Sequence, residues 1–196
     1  MDKFTHVYKG SPPDHCVSDQ ALRQLPNGEW AIIFMTGGDH EPSKDNYIAM
    51  CRSKDQGSTW SIPETVLRFN DRACLLSEVI VHQKEIRIIV ESHLGHFEDW
   101  QVFVLVSKDN GLTWSKPIPF TPMPHRAFLR NLYVSTWDEW FLPFQQYDIV
   151  KDVATSPRKD GGGRGPPPFQ IPAGIYRPPS NQQIPSLPLA WTWEDI

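Results

Sequence analysis

Up to about Asp148 the chain alternates short apolar runs with clusters of turn-forming residues. Trp30–Met35 and Tyr47–Cys51 are rich in β-branched, aromatic and other apolar residues, and so are Glu78–His82, Ile86–Val90 and Val102–Val106. Runs of five or six residues with this composition predict β-strands. Pro26-Asn27-Gly28-Glu29 and Gln83-Lys84-Glu85 lie between neighbouring runs and predict turns. Leu132–Ser135, Trp137–Glu139 and Trp140–Phe144 repeat the strand, turn, strand order once more. No segment of useful length has a helical period.

From about Val153 the pattern stops. Nine of the 19 prolines fall between Pro157 and Pro188, and Gly161-Gly162-Gly163-Arg164-Gly165-Pro166-Pro167-Pro168 sits among them. That composition favours extended or disordered chain over a packed core. The expected organisation is an all-β domain over residues 11–148 and a Gly/Pro-rich, disordered tail over 153–196. Pro166–Pro168 alone is weak grounds for a peptide ligand of the polyproline type.

The β segment contains a repeat. Ser53-Lys54-Asp55-Gln56-Gly57-Ser58-Thr59-Trp60 matches Ser107-Lys108-Asp109-Asn110-Gly111-Leu112-Thr113-Trp114 at six of eight positions, 54 residues apart. Such a period is typical of four-stranded propeller blades. The unit reads as a hairpin turn. The aspartate accepts backbone N–H groups across the turn, and the glycine takes a positive φ. The threonine favours extended chain, and the tryptophan fills the gap between sheets.

S-x-D-x-G-x-T-W is the Asp-box, and two copies one blade apart resemble the sialidase (neuraminidase) superfamily of β-propellers. The resemblance covers roughly residues 11–148. It implies a sialidase-like β-propeller of about two and a half blades, with the box between the third and fourth strands on the face opposite the active site. Asp55, Gly57, Trp60, Asp109, Gly111 and Trp114 are then structural rather than catalytic. A closed propeller needs at least four blades, because closure removes open sheet edges. A truncated propeller is the expected explanation, and a complete chain that pairs with another copy is the alternative.

With the boxes at the bottom, the opposite face receives Asp14-His15 and Gly37–Pro42 from the first blade. It receives Asp71-Arg72 and Glu91–His96 from the second, and His125-Arg126 and Gln145–Asp148 from the third. Five of the seven histidines (His15, His40, His93, His96, His125) fall there, and histidine suits proton transfer near neutral pH. Asp39 and His93 each lie fourteen residues before a box. Asp39 occupies the loop where the family keeps its acid/base aspartate, with Asp45 as competitor. The resemblance fails at Asp14-His15-Cys16, where true sialidases carry an arginine that grips the sialate carboxylate.

A histidine-rich face more closely resembles family members that act as lyases on rhamnose–glucuronate caps. For elimination, His93 or His40 would be the base, and Arg126 or Arg72 would hold the carboxylate by paired hydrogen bonds. For hydrolysis, Asp39 or Glu41 would be the acid. The candidate catalytic residues are Asp39, His40 and His93. The candidate substrate-binding residues are His15, Glu41, Arg72, Glu91, Arg126 and Tyr147. The implied activity is cleavage next to a terminal acidic sugar, and the alternative is a non-catalytic glycan-binding module or an inactive fragment.

The remaining composition narrows the partners. A formal net charge of -4 and no basic run argue against nucleic acid. No stretch approaches the ~20 apolar residues of a membrane span. Met1–Gly10 is polar, so no secretion signal is expected, although the family is commonly secreted. Cys16, Cys51 and Cys74 have no metal-ligand spacing and read as small core residues. No metal or cofactor is expected. The expected partners are an acidic glycan and, through open sheet edges, a second copy.

Overall fold

The computed structural model describes residues 5–94, 99–120, 127–129, 132–134, 140–146, 173–177 and 192–194. Among them every regular element is a strand, and every strand pairing is antiparallel. Two compact units divide the chain, Met1–Thr121 and Pro122–Ile196.

The first unit holds two four-stranded meanders. β1 (Val17–Gln24), β2 (Trp30–Thr36), β3 (Tyr47–Ser53) and β4 (Glu64–Leu67) form one sheet in chain order. β5 (Ala73–His82), β6 (Glu85–His93), β7 (Gln101–Ser107) and β8 (Ile118–Pro119) form the other. The predicted apolar runs form the centre of β2, β3, β6 and β7. β5 begins earlier than its β-branched stretch, because Ala73–Leu76 is buried and paired as well. β6 extends past the predicted run through Glu91, Ser92 and His93, which sequence alone had placed in a loop. Ala73–Leu75 pair with these three residues on one side, and Gln101 and Val102 pair with two of them on the other. That continuous ladder overrides their polarity.

Each inner strand carries a bulge, between Ser18 and Ala21 in β1 and between Leu76 and Glu78 in β5. Asp19 in the first bulge has φ 50°, a conformation uncommon outside glycine. Strand alternation gives blade 1 two apolar faces. Phe34, Ala49 and Cys51 face Val7, Tyr8 and Trp60. The opposite set, Ile33, Met35, Ile48 and Met50, is buried and turns toward the second sheet, where Met50 Cε lies 3.3 Å from the position a Cβ on Gly111 would take. The two sheets are joined by Arg23, which donates to Glu78 Oε1 at 2.6 Å and to the Val79 carbonyl at 2.7 Å.

In the second unit, β9 (Ala127–Leu129) and β10 (Tyr133–Val134) both pair with β11 (Trp140–Gln146). β12 (Ala173–Arg177) pairs with β11, and β13 (Thr192–Glu194) pairs with β12. These last two strands lie within the stretch whose composition predicted none. Ile175-Tyr176 and Thr192-Trp193 are local β-formers there; β11 offers the first an edge, and β12 offers one to the second.

Candidate functional site

The eight-residue units close the turns after β3 and β7, with the same bonds among their serine, aspartate, glycine and threonine. Ser53 Oγ accepts from Gly57 N at 2.7 Å, and Ser107 Oγ accepts from Gly111 N at 2.7 Å. Asp55 Oδ1 accepts from Thr59 N and Ser53 Oγ, each at 2.8 Å, while Asp109 Oδ1 accepts from Thr113 N at 2.9 Å and Ser107 Oγ at 2.8 Å. The threonine hydroxyls donate to the second carboxylate oxygens, at 2.6 and 2.5 Å. These bonds, led by the threonine hydroxyl, hold both carboxyls down at about 2. Gly57 and Gly111 have φ of 89° and 77°. Trp60 Nε1 donates to the Gly57 carbonyl at 3.0 Å. The second turn also binds the first blade, where Arg52 Nη1 donates to the Asn110 carbonyl at 2.7 Å and Asn27 N to Asn110 Oδ1 at 3.1 Å.

The opposite end of the first unit carries the polar loops. Asn46 organises the loop between β2 and β3. Fully buried, it donates from Nδ2 to the Gly37 and His40 carbonyls at 2.6 and 3.2 Å and accepts from Ser43 N at 2.8 Å. Its own carbonyl accepts from Cys74 N at 2.9 Å, which ties the loop to the second blade.

On this loop Asp39 Oδ1 lies 3.2 Å from His15 Nδ1, with side chains 76% and 51% exposed. His40 is exposed, and half-buried Glu41 accepts from Ser18 Oγ at 3.3 Å. Glu41 and Asp19 both stand close enough to Cys16 to add to the effect of burial in raising its thiol pKa. Asp14 accepts from Gly38 N at 3.3 Å and from the Tyr47 hydroxyl at 3.2 Å. Burial, and after it the Asp14 charge, push Tyr47 up to about 12, so it stays a protonated donor.

In the second blade Arg72 is a clamp. Nε donates to Ser92 Oγ at 3.0 Å, Nη2 to the Ser92 carbonyl at 3.2 Å and the Asp99 carbonyl at 2.5 Å, and Nη1 to the Asp99 carboxylate. Glu91 and His93 flank Ser92 and are fully buried. The His93 ring stacks on Trp100 with centroids 5.8 Å apart and an interplanar angle of 10°.

The same end of the unit therefore carries His15, Asp39, His40, Glu41, Arg72, Glu91 and His93. Exposure divides them: the first four line the open loop of blade 1, and Glu91 and His93 lie inside blade 2. Arg126, Tyr147, His96 and His125 lie outside the described residues. Sequence reasoning passed over Asn46, Tyr47, Arg68 and Asp99. Among the described residues no group of His, Cys, Asp and Glu is arranged to hold a metal ion, and no helix is long and apolar enough to cross a membrane. A cavity of about 230 Å³ opens elsewhere, between Thr5–Tyr8 and Val17, Gln20, Ile32 and Phe34. His6 is its one titratable side chain apart from Tyr8, so it does not coincide with the carboxylates.

No family model matches the sequence, and no curated protein matches it. Solved structures do match. A Hadza microbial sialidase is 15% identical with a TM-score of 0.61, over 86% of this chain and 36% of that one. A protein of unknown function from Dyadobacter fermentans is 14% identical with a TM-score of 0.63, over 94% and 55%. The GH93 α-L-arabinofuranosidase of Fusarium graminearum is 14% identical with a TM-score of 0.54, over 88% and 48%. The chain thus spans between 36% and 55% of the length of these structures. At such identities the likeness is one of fold, and the fold of this all-β chain is that of a sialidase-like β-propeller.

Proposed function

We propose that the chain belongs to a carbohydrate-active propeller that cleaves a glycosidic bond next to a terminal acidic sugar. The observation that carries this reading is the contact between Asp39 and His15 on the loop end of blade 1, with His40 and Glu41 on the same loop. A carboxylate and an imidazole in contact are a proton-transfer pair. The sialidase and arabinofuranosidase likenesses add weight on fold-level analogy alone.

For hydrolysis, Asp39 protonates the leaving oxygen while Glu41, oriented by Ser18, supplies the second carboxylate. For elimination, His40 is the better base, because it is exposed and His93 is buried behind Trp100. His93 and Glu91 then shape the wall rather than meet the sugar. Arg126 and Tyr147 remain proposed substrate contacts. Arg72, with four of its five N–H groups engaged, positions the wall.

The test is turnover of a fluorogenic sialoside and of a rhamnosyl-glucuronate oligosaccharide, read as released aglycone or as the ultraviolet absorbance of an unsaturated uronate. Asp39→Asn should lower turnover by about 10²- to 10⁴-fold. Unchanged turnover would remove Asp39 from the mechanism. The exposure of Asp39 and His15 favours a second reading, a glycan-binding module without chemistry, since catalytic pairs work best where water is excluded. Saturable binding without product over long incubation would establish that reading instead.

A further inference from the structure

An acidic sugar needs a cation with donors to spare. Among the described arginines, Arg23, Arg52, Arg72 and Arg87 all donate to carboxylates or carbonyls of the protein. Arg68, which follows β4 at the loop end of blade 1, makes no such bond. It is exposed, and its guanidinium carbon sits 4.7 Å from the centroid of the Tyr47 ring. The ring beneath it is fixed at both ends. Its hydroxyl donates to Asp14, and its edge lies against Gly37, where a Cβ would stand 2.7 Å from Cδ1. Asp14 accepts from Gly38 N and from the Tyr47 hydroxyl, and Arg68 makes no hydrogen bond or ion pair with it.

We propose that Arg68, presented by Tyr47, grips the carboxylate of the sugar. This rests on the reading of the face as a glycan site and names the group that would select an acidic glycan. Stacking occupies the flat face of a guanidinium and leaves its in-plane N–H groups free at the rim. Two parallel N–H donors match the two oxygens of a carboxylate, and a neutral sugar has no equivalent group. Tyr47 acts through Arg68 and is a positioning residue.

The experiment compares glucuronic acid with its methyl ester, which keeps the ring and removes the charge. Binding to the full chain is followed by the Nε–H resonance of Arg68 and by calorimetry. The wild-type chain should prefer the acid by about ten-fold or more. Arg68→Ala should bring that ratio to about one, chiefly by weakening binding of the acid. Arg68→Lys, which keeps the charge and loses the fork, should fall between. Tyr47→Phe keeps the ring and should keep most of the preference, whereas Tyr47→Leu should lose it. Preserved preference in Arg68→Ala overturns the assignment. Equal binding of acid and ester by the wild-type chain also overturns it, and leaves the carbohydrate reading standing. Binding of neither compound, nor of arabinobiose or sialic acid, overturns both.

Discussion

At the scale of single residues, two kinds of polar side chain hold the first unit together, and they differ in how visible they are beforehand. Asp55 and Asp109 take all their side-chain partners from within four residues, so their structural role follows from the local string. Their carboxyls fall from an ordinary 3.8 to about 2 in the folded chain. A depressed folded pKa gives stability that is complete above the unfolded pKa and lost as pH falls through the folded one. The melting temperature should therefore drop between about pH 4 and pH 2, and the double variant Asp55→Asn/Asp109→Asn should flatten that part of the profile. An unchanged acid limb in the double variant would assign the loss to other carboxylates. Asn46 is the opposite case. Its partners stand at Gly37, His40 and Cys74, as well as nearby Ser43, and nothing in the local sequence marks it. Asn46→Ala strands the buried Gly37 carbonyl and the partly buried His40 carbonyl and Ser43 N–H, and should cost about 2–4 kcal/mol in denaturant titration. Asn46→Asp should cost more, because a buried carboxylate would face the two carbonyls. Equal stability of the wild-type chain and the alanine variant would mean that water replaces the side chain.

At the scale of elements, the strand centres were legible because β-branched and aromatic runs are read locally, and the strand ends were not. β6 outruns its apolar core because Glu91, Ser92 and His93 are paired on neighbours whose position the sequence does not give, and β5 begins early at buried Ala73–Leu76 through the same pairing. The same reason hid the division of the candidate site. Glu91 and His93 look like loop residues in the string, yet the ladder buries both. Arg72 was legible as a cation at the right end of the fold, but its partner Asp99 lies 27 residues away. Its role as a clamp makes a local prediction. Arg72→Ala releases Ser92 and Asp99, one end of the β6–β7 pairing. The loss should be about 1–2 kcal/mol, discounted because Asp99 is half exposed. Amide exchange should quicken at Ser92 and Gln101 and stay unchanged at Ile86 and Ser107, at the far end of the same pair of strands. Uniform acceleration along β6 would show that Arg72 supports the whole sheet rather than its end.

At the scale of the molecule, the 54-residue repeat announced two similar sheets, but nothing in it said how firmly one holds the other. The structure supplies contacts at three heights. Arg52 and Asn27 meet Asn110 at the turn end, Arg23 meets Glu78 and Val79 between the inner strands, and Asn46 meets Cys74 at the loop end. Between them lies the buried face of Ile33, Met35, Ile48 and Met50. Polar contacts at both ends and an apolar layer across the middle should make the two sheets one cooperative unit, since opening either exposes the shared layer to water. Ile48→Ala tests this. It removes a fully buried side chain from blade 1 and should cost about 2–5 kcal/mol. If the sheets open together, native-state amide exchange will show the same loss of protection at Ile88 and Val90 of β6 as at Ile33 and Met35 of β2, although β6 was not altered. If protection falls in β2 and holds in β6, each blade is its own folding unit. The Asn46 bond to Cys74 would then register two independent sheets, and a site built across both would need its substrate to align them.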